Sequence, residues 1–412
     1  MKINLPKDVN FIIGTLEAHG HTAYAVGGCV RDMFLRRTPG DFDVTTSARP
    51  EEVKALFRHT VDTGIAHGTV TVMLNRIGYE VTTYRIDGAY HDSRHPESVT
   101  FTPELSEDLR RRDFTINAMA YNEKEGVIDL FGGQEDLEAG IVRAVGVPAE
   151  RFTEDALRIM RCVRFAAQLG FTIDPETFRA AEQLAPTLVN ISRERIRDEL
   201  LKILLSDHPD YVRILHDIGA FDDFYPEFCH SRAHMLDVLL RTPKDKIMRL
   251  CAFLHASGET VADSEAIAER VLTELRFDND TIRRTLHLIH YHTWPLTSER
   301  AKVRKLISLY GAEDMDQLIT YVECDHQADH EDVRAEVRDV LSAGECTSLK
   351  ELAVSGKDML KLGMRPGKEI GDVLQMLLDE VLLDPAKNEK ETLLRIVCEK
   401  TVKNLANENE MC

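Results

Sequence analysis

The sequence predicts an α+β head followed by a longer all-helical remainder, on three observations. From residue 22 to about 130 the chain shows repeated strand-like alternation of apolar and polar residues. From Phe152 onward strand signals nearly vanish and helical periodicities recur, punctuated by Gly170, Pro186, Pro209, Pro243 and Pro295. Near the front of the β-rich part, Gly27-Gly28-Cys29-Val30-Arg31-Asp32 is followed shortly by Asp41-Phe42-Asp43-Val44-Thr45-Thr46, a glycine turn beside paired carboxylates. The 412 residues allow roughly two to four domains and a sizeable core.

Residues 1–20 suggest one amphipathic helix, and Thr22–Val26 a short strand that Gly27-Gly28 breaks. Adjacent glycines let the backbone turn sharply and approach a ligand without a Cβ in the way. A helix beginning near Cys29 would aim its free N–H groups over that turn, a natural place for phosphate. Asp41 and Asp43 occupy alternate positions of an extended segment, so both carboxylates share a face, with Cα atoms roughly 6.5–7 Å apart. With no Lys or Arg between them they repel unless a cation is shared. Paired hard cations about 4 Å apart are the device that runs in-line attack on a nucleoside triphosphate. Separately, the glycines read as an ordinary turn and Asp-Phe-Asp as a helix cap; their occurrence together points to the chemistry.

Further along, Thr69–Leu74 and Tyr79–Tyr84 flank Asn75-Arg76-Ile77-Gly78, predicting a hairpin with a four-residue loop. Glu80, Thr82 and Tyr84 share a face of its second arm, where Glu80 reads either as a third carboxylate near the aspartates or as a plain cross-strand charge. Arg110-Arg111-Arg112-Asp113-Phe114-Thr115-Ile116-Asn117-Ala118 carries an arginine run directly into an apolar segment, which places its last member beside the core. An Arg–Asp pair there can bind both a triphosphate oxygen and a ribose hydroxyl. A solvated surface run is the usual fate of such charge.

The third cluster, Thr153-Glu154-Asp155-Ala156-Leu157-Arg158, opens a predicted helix running to Gly170, with Thr153 as N-cap and Glu154 and Asp155 at the positive end of the helix dipole. Its bland reading is an i,i+3 salt bridge between Asp155 and Arg158. Its sharper reading is a base-reading pair. Cytosine and adenine each place an amino donor next to a ring-nitrogen acceptor, matching a carboxylate and a guanidinium. Uracil and guanine invert that pattern and would leave both protein groups mispaired.

Composition sets limits on partners. Hydrophobic content of 43% and charged content of 29% suit a globular protein. The net charge of −19 argues against broad affinity for polyanions, so any nucleic-acid contact must be a local basic track. Eight cysteines, at 29, 162, 229, 251, 324, 346, 398 and 412, form no CxxC pair, which fits reduced thiols in a cytoplasm. Pro6, Asp8 and Glu17 stand where a signal peptide needs an apolar run, and no stretch approaches a membrane span, so a cytoplasmic protein is expected.

The glycine turn with its DxD resembles the nucleotidyltransferase superfamily of DNA polymerase β. With RRDFTINA, the acidic pair followed by Arg158, and Ser192-Arg193-Glu194-Arg195-Ile196, the order from about residue 20 to 205 looks like the class II CCA-adding tRNA nucleotidyltransferases, a family that includes bacterial poly(A) polymerases. Residues Thr63 to Val72 look like the corresponding stretch of Gram-positive members. The resemblance implies a polymerase-β-like head with a mixed sheet at 1–142, a helical neck at 143–205 that recognises the base, a helical body at 206–320 and a tail at 321–412 that grips the tRNA elbow. It implies that Asp41 and Asp43 bind two catalytic Mg²⁺ ions, that Gly27, Gly28 and Arg31 hold the triphosphate, and that Arg112 and Asp113 contact the ribose. Asp155 and Arg158 would read the base, Glu154 orienting Arg158; Asn117, Arg161 and Arg164 complete the expected nucleotide-binding set. The expected reaction is template-independent addition of C, C and A to the tRNA 3′ end from CTP and ATP, with release of pyrophosphate.

Arg85-Ile86-Asp87-Gly88-Ala89-Tyr90-His91-Asp92-Ser93-Arg94-His95-Pro96 is a polar, glycine-containing stretch. It resembles the flexible loop with which full CCA enzymes switch from C to A, and its presence favours complete addition over CC-only enzymes. A-only enzymes and poly(A) polymerases stay open, as does a catalytically silent RNA-binding relative, against which the aspartate pair argues. In the tail, Lys357, Lys361, Arg365 and Lys368 around glycine turns read either as a phosphate clamp for the tRNA elbow or as a solvated helix–turn–helix. Leu254-His255-Ala256 resembles the His-Asp metal pair of phosphohydrolases appended to some relatives, but Ala256 replaces the aspartate and no such activity is expected. His287, His290 and His292, like Cys324, His326 and His330, have helical metal spacing and are read as structural. Nothing decides between a monomer and a homodimer.

Overall fold

Alternating apolar residues between Ala23 and Asp129 build one mixed sheet, seen in a computed structural model that describes residues 4–88, 99–229 and 232–399. The head opens with α1 (Lys7–Ala18), β1 (Ala23–Val26), α2 (Gly28–Phe34), β2 (Asp43–Thr46), α3 (Pro50–Leu56), β3 (Thr60–Gly64), β4 (Thr69–Leu74) and β5 (Ile77–Thr83). It continues through β6 (Arg85–Asp87), β7 (Val99–Phe101), α4 (Leu105–Arg110), β8 (Met119–Asn122), β9 (Gly126–Asp129), α5 (Gly133–Ala139) and β10 (Ile141–Val142). The main sheet has seven strands in the order β3-β4-β5-β2-β1-β8-β9. Only β2 and β5 run parallel; the other neighbours are antiparallel.

The central strand β1 is buried along its whole length, which is why Ala-Tyr-Ala-Val carries no polar face. Helix α1 lays Val9, Ile12, Ile13 and Leu16, at helical spacing, into the core. Val26 pairs with Asp43, so the glycine turn after β1 lies beside the first carboxylate of β2.

The hairpin forms, with a shorter loop than expected. Leu74 pairs with Ile77, leaving only Asn75 and Arg76 in the turn, at φ of 50° and 68°. Two left-handed residues are what a tight hairpin turn needs. The Asn75 amide also donates to both carboxylate oxygens of Asp8, at 3.1 and 3.0 Å, and so fixes the turn on α1.

The expected helix from Glu154 to Gly170 is two helices, α6 (Pro148–Glu154) and α7 (Leu157–Leu169). Pro148 presets the first helical turn of α6 and starts a helix earlier than the expected cap. Thr153 therefore lies within α6 and its hydroxyl donates to the Ala149 carbonyl at 2.7 Å. Glu154 ends α6 rather than opening a helix, and Asp155 starts α7 by accepting from the Leu157 N–H at 3.0 Å.

Beyond lie β11 (Thr172–Ile173), paired in parallel with β10, and α8 (Pro175–Leu184), α9 (Arg193–Leu204) and α10 (Val212–Asp217). Then follow α11 (Arg232–Arg241), α12 (Lys246–Leu254), α13 (Val261–Glu274), α14 (Asn279–Tyr291), α15 (Arg300–Tyr310), α16 (Met315–His326) and α17 (Glu331–Ser342). The last are α18 (Gly356–Lys361) and α19 (Lys368–Leu383). One continuous apolar core runs from Leu5 to Val340, and a separate one from Cys346 to Val397. Residue 321, where the tail was expected to begin, falls inside α16, whose Met315, Leu318, Ile319 and Val322 pack in the first core. No helix among the described residues is long and apolar enough to cross a membrane. Cys29, Cys162, Cys251, Cys324, Cys346 and Cys398 are free thiols.

Candidate active site

Like-charge crowding marks the first half of the site. The parallel register sets Val44 opposite Val81, which brings Glu80 level with Asp43 on the neighbouring strand. Burial first, then the charges of Asp41 and, least, Glu80, against the opposing Arg112, together push the Asp43 carboxyl up to about 6. Glu80 is the smallest of the charges acting on Asp43. A raised carboxyl contributes stability that is present below its unfolded value, near 4, and lost as pH rises through about 6. Asp43→Asn, which cannot ionise, is therefore expected to melt higher than wild type at about pH 7.5 in chelator, with the gap narrowing as pH falls through about 6 and closing only below about pH 4. Thermal melts across that range check this, and a pH-independent gap would contradict it.

The second half is a network of arginines. Arg110 is mostly exposed and faces Glu107, as a solvated run would. Arg111 and Arg112 instead turn inward onto Asp108, at 2.7 and 3.3 Å, which the Thr45 hydroxyl also reaches at 3.0 Å. Burial alone would raise the Asp108 carboxyl, but those two guanidiniums outweigh it and hold it below the usual range. Arg112 Nε is buried without a hydrogen-bond partner among the described residues. Gly27, at φ 79°, lies against Arg112, and a Cβ there would come within 3.0 Å of Nη1, so the turn accepts only glycine comfortably.

Arg31 donates to Asn117 Oδ1 at 2.8 Å and pairs with Asp32 at 2.7 Å; Asn117 donates to Asp113 Oδ1 at 3.1 Å. Arg161 closes the chain by donating to Asp113 Oδ2, at 2.8 Å from Nε. Burial would raise Asp113, yet Arg161 and Asn117 prevail and hold it ionised well below the ordinary carboxylate range.

From α7, Arg158 pairs with Glu154 at 2.5 Å and donates to the carbonyls of Arg151 and Arg111, each at 3.0 Å. The i,i+3 bridge from Asp155 to Arg158 is absent. The break between α6 and α7 turns Asp155 toward Arg195 of α9, at 2.8 Å. Asp155 and Arg158 thus face one cavity of about 280 Å³ as separate acceptor and donor. Arg111, Arg112, Asp113, Leu157, Arg161 and Arg195 complete its lining, and Arg112 is the group that both lines it and acts on Asp43. Arg164 is not part of that lining; it is buried against Glu199, at 2.5 Å.

A family model described as the poly A polymerase head domain matches residues 23–143. A model for the RNA and SrmB binding site of polymerase A matches 170–231, and one for tRNA nucleotidyltransferase domain 2 matches 255–397. The CCA-adding enzyme of Lactiplantibacillus plantarum is 38% identical over 392 residues, covering 93% of each chain. This chain belongs to the CCA-adding enzymes. Among solved structures, the Bacillus stearothermophilus CCA-adding enzyme in complex with CTP superimposes with a TM-score of 0.81 at 32% identity, covering 97% of this chain and 98% of that one. The Thermotoga maritima CCA-adding enzyme complexed with tRNA shares the fold, with a TM-score of 0.61 at 20% identity over 97% of this chain and all of its own (100%).

As a CCA-adding enzyme the chain is a nucleotidyltransferase, and its mixed-sheet head and helical remainder are those of the family. Three residues of the site were not singled out from sequence. Asp108 was signalled only by its i,i+3 and i,i+4 spacing to Arg111 and Arg112. Arg195 appeared only within a motif, although its Nη1 is buried without a partner beside the cavity. Phe165 gave no signal at all; its ring lies 5.1, 5.5 and 3.8 Å from the guanidinium carbons of Arg31, Arg161 and Arg164, a shared cation–π platform. Of the loop expected to switch nucleotide choice, Arg85 to Asp87 pair with β7, Gly88 follows, and residues 89–96 lie outside those described. Lys357, Lys361, Arg365 and Lys368 are all exposed in the tail.

Proposed function

We propose that this chain adds C, C and A to the 3′ end of tRNA, taking CTP twice and ATP once and releasing pyrophosphate each time, in the cytoplasm. The observation that carries the proposal is the polar cavity in which Asp155 and Arg158 stand unpaired with each other, joined through Arg112 to the crowded carboxylates. A triphosphate is anionic and its base is neutral, so one end of the site needs cationic groups and the other a matched donor and acceptor.

The crowding of Asp41, Asp43 and Glu80 suits cation binding, because a shared cation removes the repulsion that raises Asp43. Asp41 and Asp43 would hold Mg²⁺, which when bound stabilises charge on the attacked phosphate and on the departing pyrophosphate. The chain's own residues do the rest. Gly27 and Gly28 leave room for phosphate, Arg31 and Arg112 meet its charge, and Asp113 accepts from a ribose hydroxyl while Asn117 and Arg161 keep it ionised. Asp155 accepts from the amino group of cytosine or adenine, held by Arg195, and Arg158 donates to the ring nitrogen, held by Glu154. Arg164 acts from behind, tying the neck helices through Glu199. Head, neck and body share one core with the catalytic sheet; the tail, beginning near Cys346, offers Lys357, Lys361, Arg365 and Lys368 to the tRNA elbow.

Primer extension on tRNA transcripts ending before CCA, before the final A, or complete tests this, with CTP, ATP or both plus Mg²⁺. Addition of CCA followed by arrest is expected. Addition of CC alone, A alone or a long A tail would move the specificity to another member of the family, and no addition would leave an RNA-binding relative.

A further inference from the structure

The described residues hold one grouping of metal-ligating side chains, in the helical part of the chain: His234, His255 and Asp325, whose donor atoms all lie within 4.8 Å of one another. They come from α11, the residue after α12, and α16, which is why no sequence spacing announces them. His234 Nε2 is 2.8 Å and His255 Nε2 3.6 Å from Asp325 Oδ1. Tetrahedral zinc, with bonds of about 2.0–2.1 Å, has donor–donor edges of roughly 3.3 Å, and these separations bracket that value. His292, directly after α14, presents its Nε2 at 3.9 Å from the other oxygen, Oδ2.

Tautomers agree with a ligand role. His255 Nδ1 lies 3.1 Å from the Ala252 carbonyl and His292 Nδ1 2.6 Å from that of Ile289. A carbonyl only accepts, so both rings carry their proton on Nδ1 and turn the Nε2 lone pair toward Asp325. His255 Nε2 and Asp325 Oδ1 are buried, in residues 5% and 7% exposed, and neither has a well-aligned hydrogen-bond partner among the described residues. Two buried acceptors facing each other, with the partly exposed His234 Nε2 beside the carboxylate, are costly unless a proton on His234 or a cation lies between them, and a cation satisfies all three donor atoms at once. His234, half exposed, gives the ion a way in from solvent.

We propose that His234, His255 and Asp325, with His292 completing the set, bind a divalent transition metal of the zinc type that staples α11, α12, α14 and α16. Imidazole nitrogens with one carboxylate favour zinc over magnesium, and Ala256 offers no second carboxylate for another ion. The site is separate from the carboxylates of the head, and the inference does not rest on the assigned roles there.

Full-length protein stripped by chelator is dialysed against Zn²⁺ with excess Mg²⁺ to occupy the head, then washed and assayed for metal by plasma mass spectrometry; thermal melts with and without Zn²⁺ run alongside. Wild type is expected to retain about one zinc per chain and to melt higher with it. His255→Gln and His234→Gln are expected to bind zinc at least tenfold more weakly and lose the shift; the exposed position of His234 keeps that variant folded, as circular dichroism reads. Failure of wild type to retain zinc would show that a water or a His–Asp ion pair satisfies the cluster and would overturn the proposal. Retention by both variants as tight as wild type would overturn it too.

Discussion

Asp41→Ala is expected to lower single-turnover nucleotide incorporation by at least about 10³-fold, the loss of roughly 4 kcal/mol of transition-state stabilisation. The same variant is expected to bind tRNA as wild type does and to melt no lower. Asp41 is exposed and lies outside the strands of the sheet, while its charge raises the neighbouring Asp43 carboxyl. Removing it relieves repulsion in the metal-free protein. A residue kept for folding would show the opposite pattern, lost stability with activity falling in proportion. The decisive measurement is single-turnover extension of a tRNA lacking its terminal residues, with saturating CTP and Mg²⁺, beside a melt and a binding titration. Turnover at the wild-type rate would remove Asp41 from the metal site and with it the account of the crowded carboxylates.

Asp155→Ala is expected to lower discrimination between CTP and UTP by about 10²-fold, because a site built to pair a polar edge rejects the mismatched edge strongly and loses that power when one partner is gone. The change also costs something structural. Asp155 accepts from the Leu157 N–H just ahead of α7 and holds Arg195, so about 1 kcal/mol of stability should go with it. Selectivity is a ratio of kcat/KM values within one variant, so a uniform loss of active protein cancels. Selectivity against UTP unchanged from wild type would sink the reading-pair assignment. Arg195→Ala separates contact from positioning: it leaves the carboxylate in place but unheld, and a smaller loss of discrimination is expected.

What the sequence by itself determined is whatever depends on neighbours along the chain. Alternation predicts Asp41 and Asp43 near one another, and their charges do act on each other although only Asp43 lies within β2; paired glycines announce the turn before α2; an apolar stripe announces α1. Family order supplied the roles, since motifs keep their spacing. The local reading failed where two local signals competed. Thr153 is a good cap, but Pro148 had already started a helix upstream, and Asp155 falls in the break before the next one. Asn75 tolerates left-handed backbone, so the hairpin closed in fewer residues than its polar stretch suggested.

Only the tertiary structure decided which charges meet. Asp108 takes a hydrogen bond from Thr45, 63 residues away, and anchors the arginine run; Asp155 finds Arg195, 40 residues on, instead of its helical neighbour. Phe165 becomes a platform because helix and sheet bring cations to one ring. His234, His255, His292 and Asp325 converge only when their helices pack. The physical reason is the same in each case. Hydrogen-bond and ligand geometry act over a few ångströms, and packing rather than spacing along the chain decides which side chains come that close.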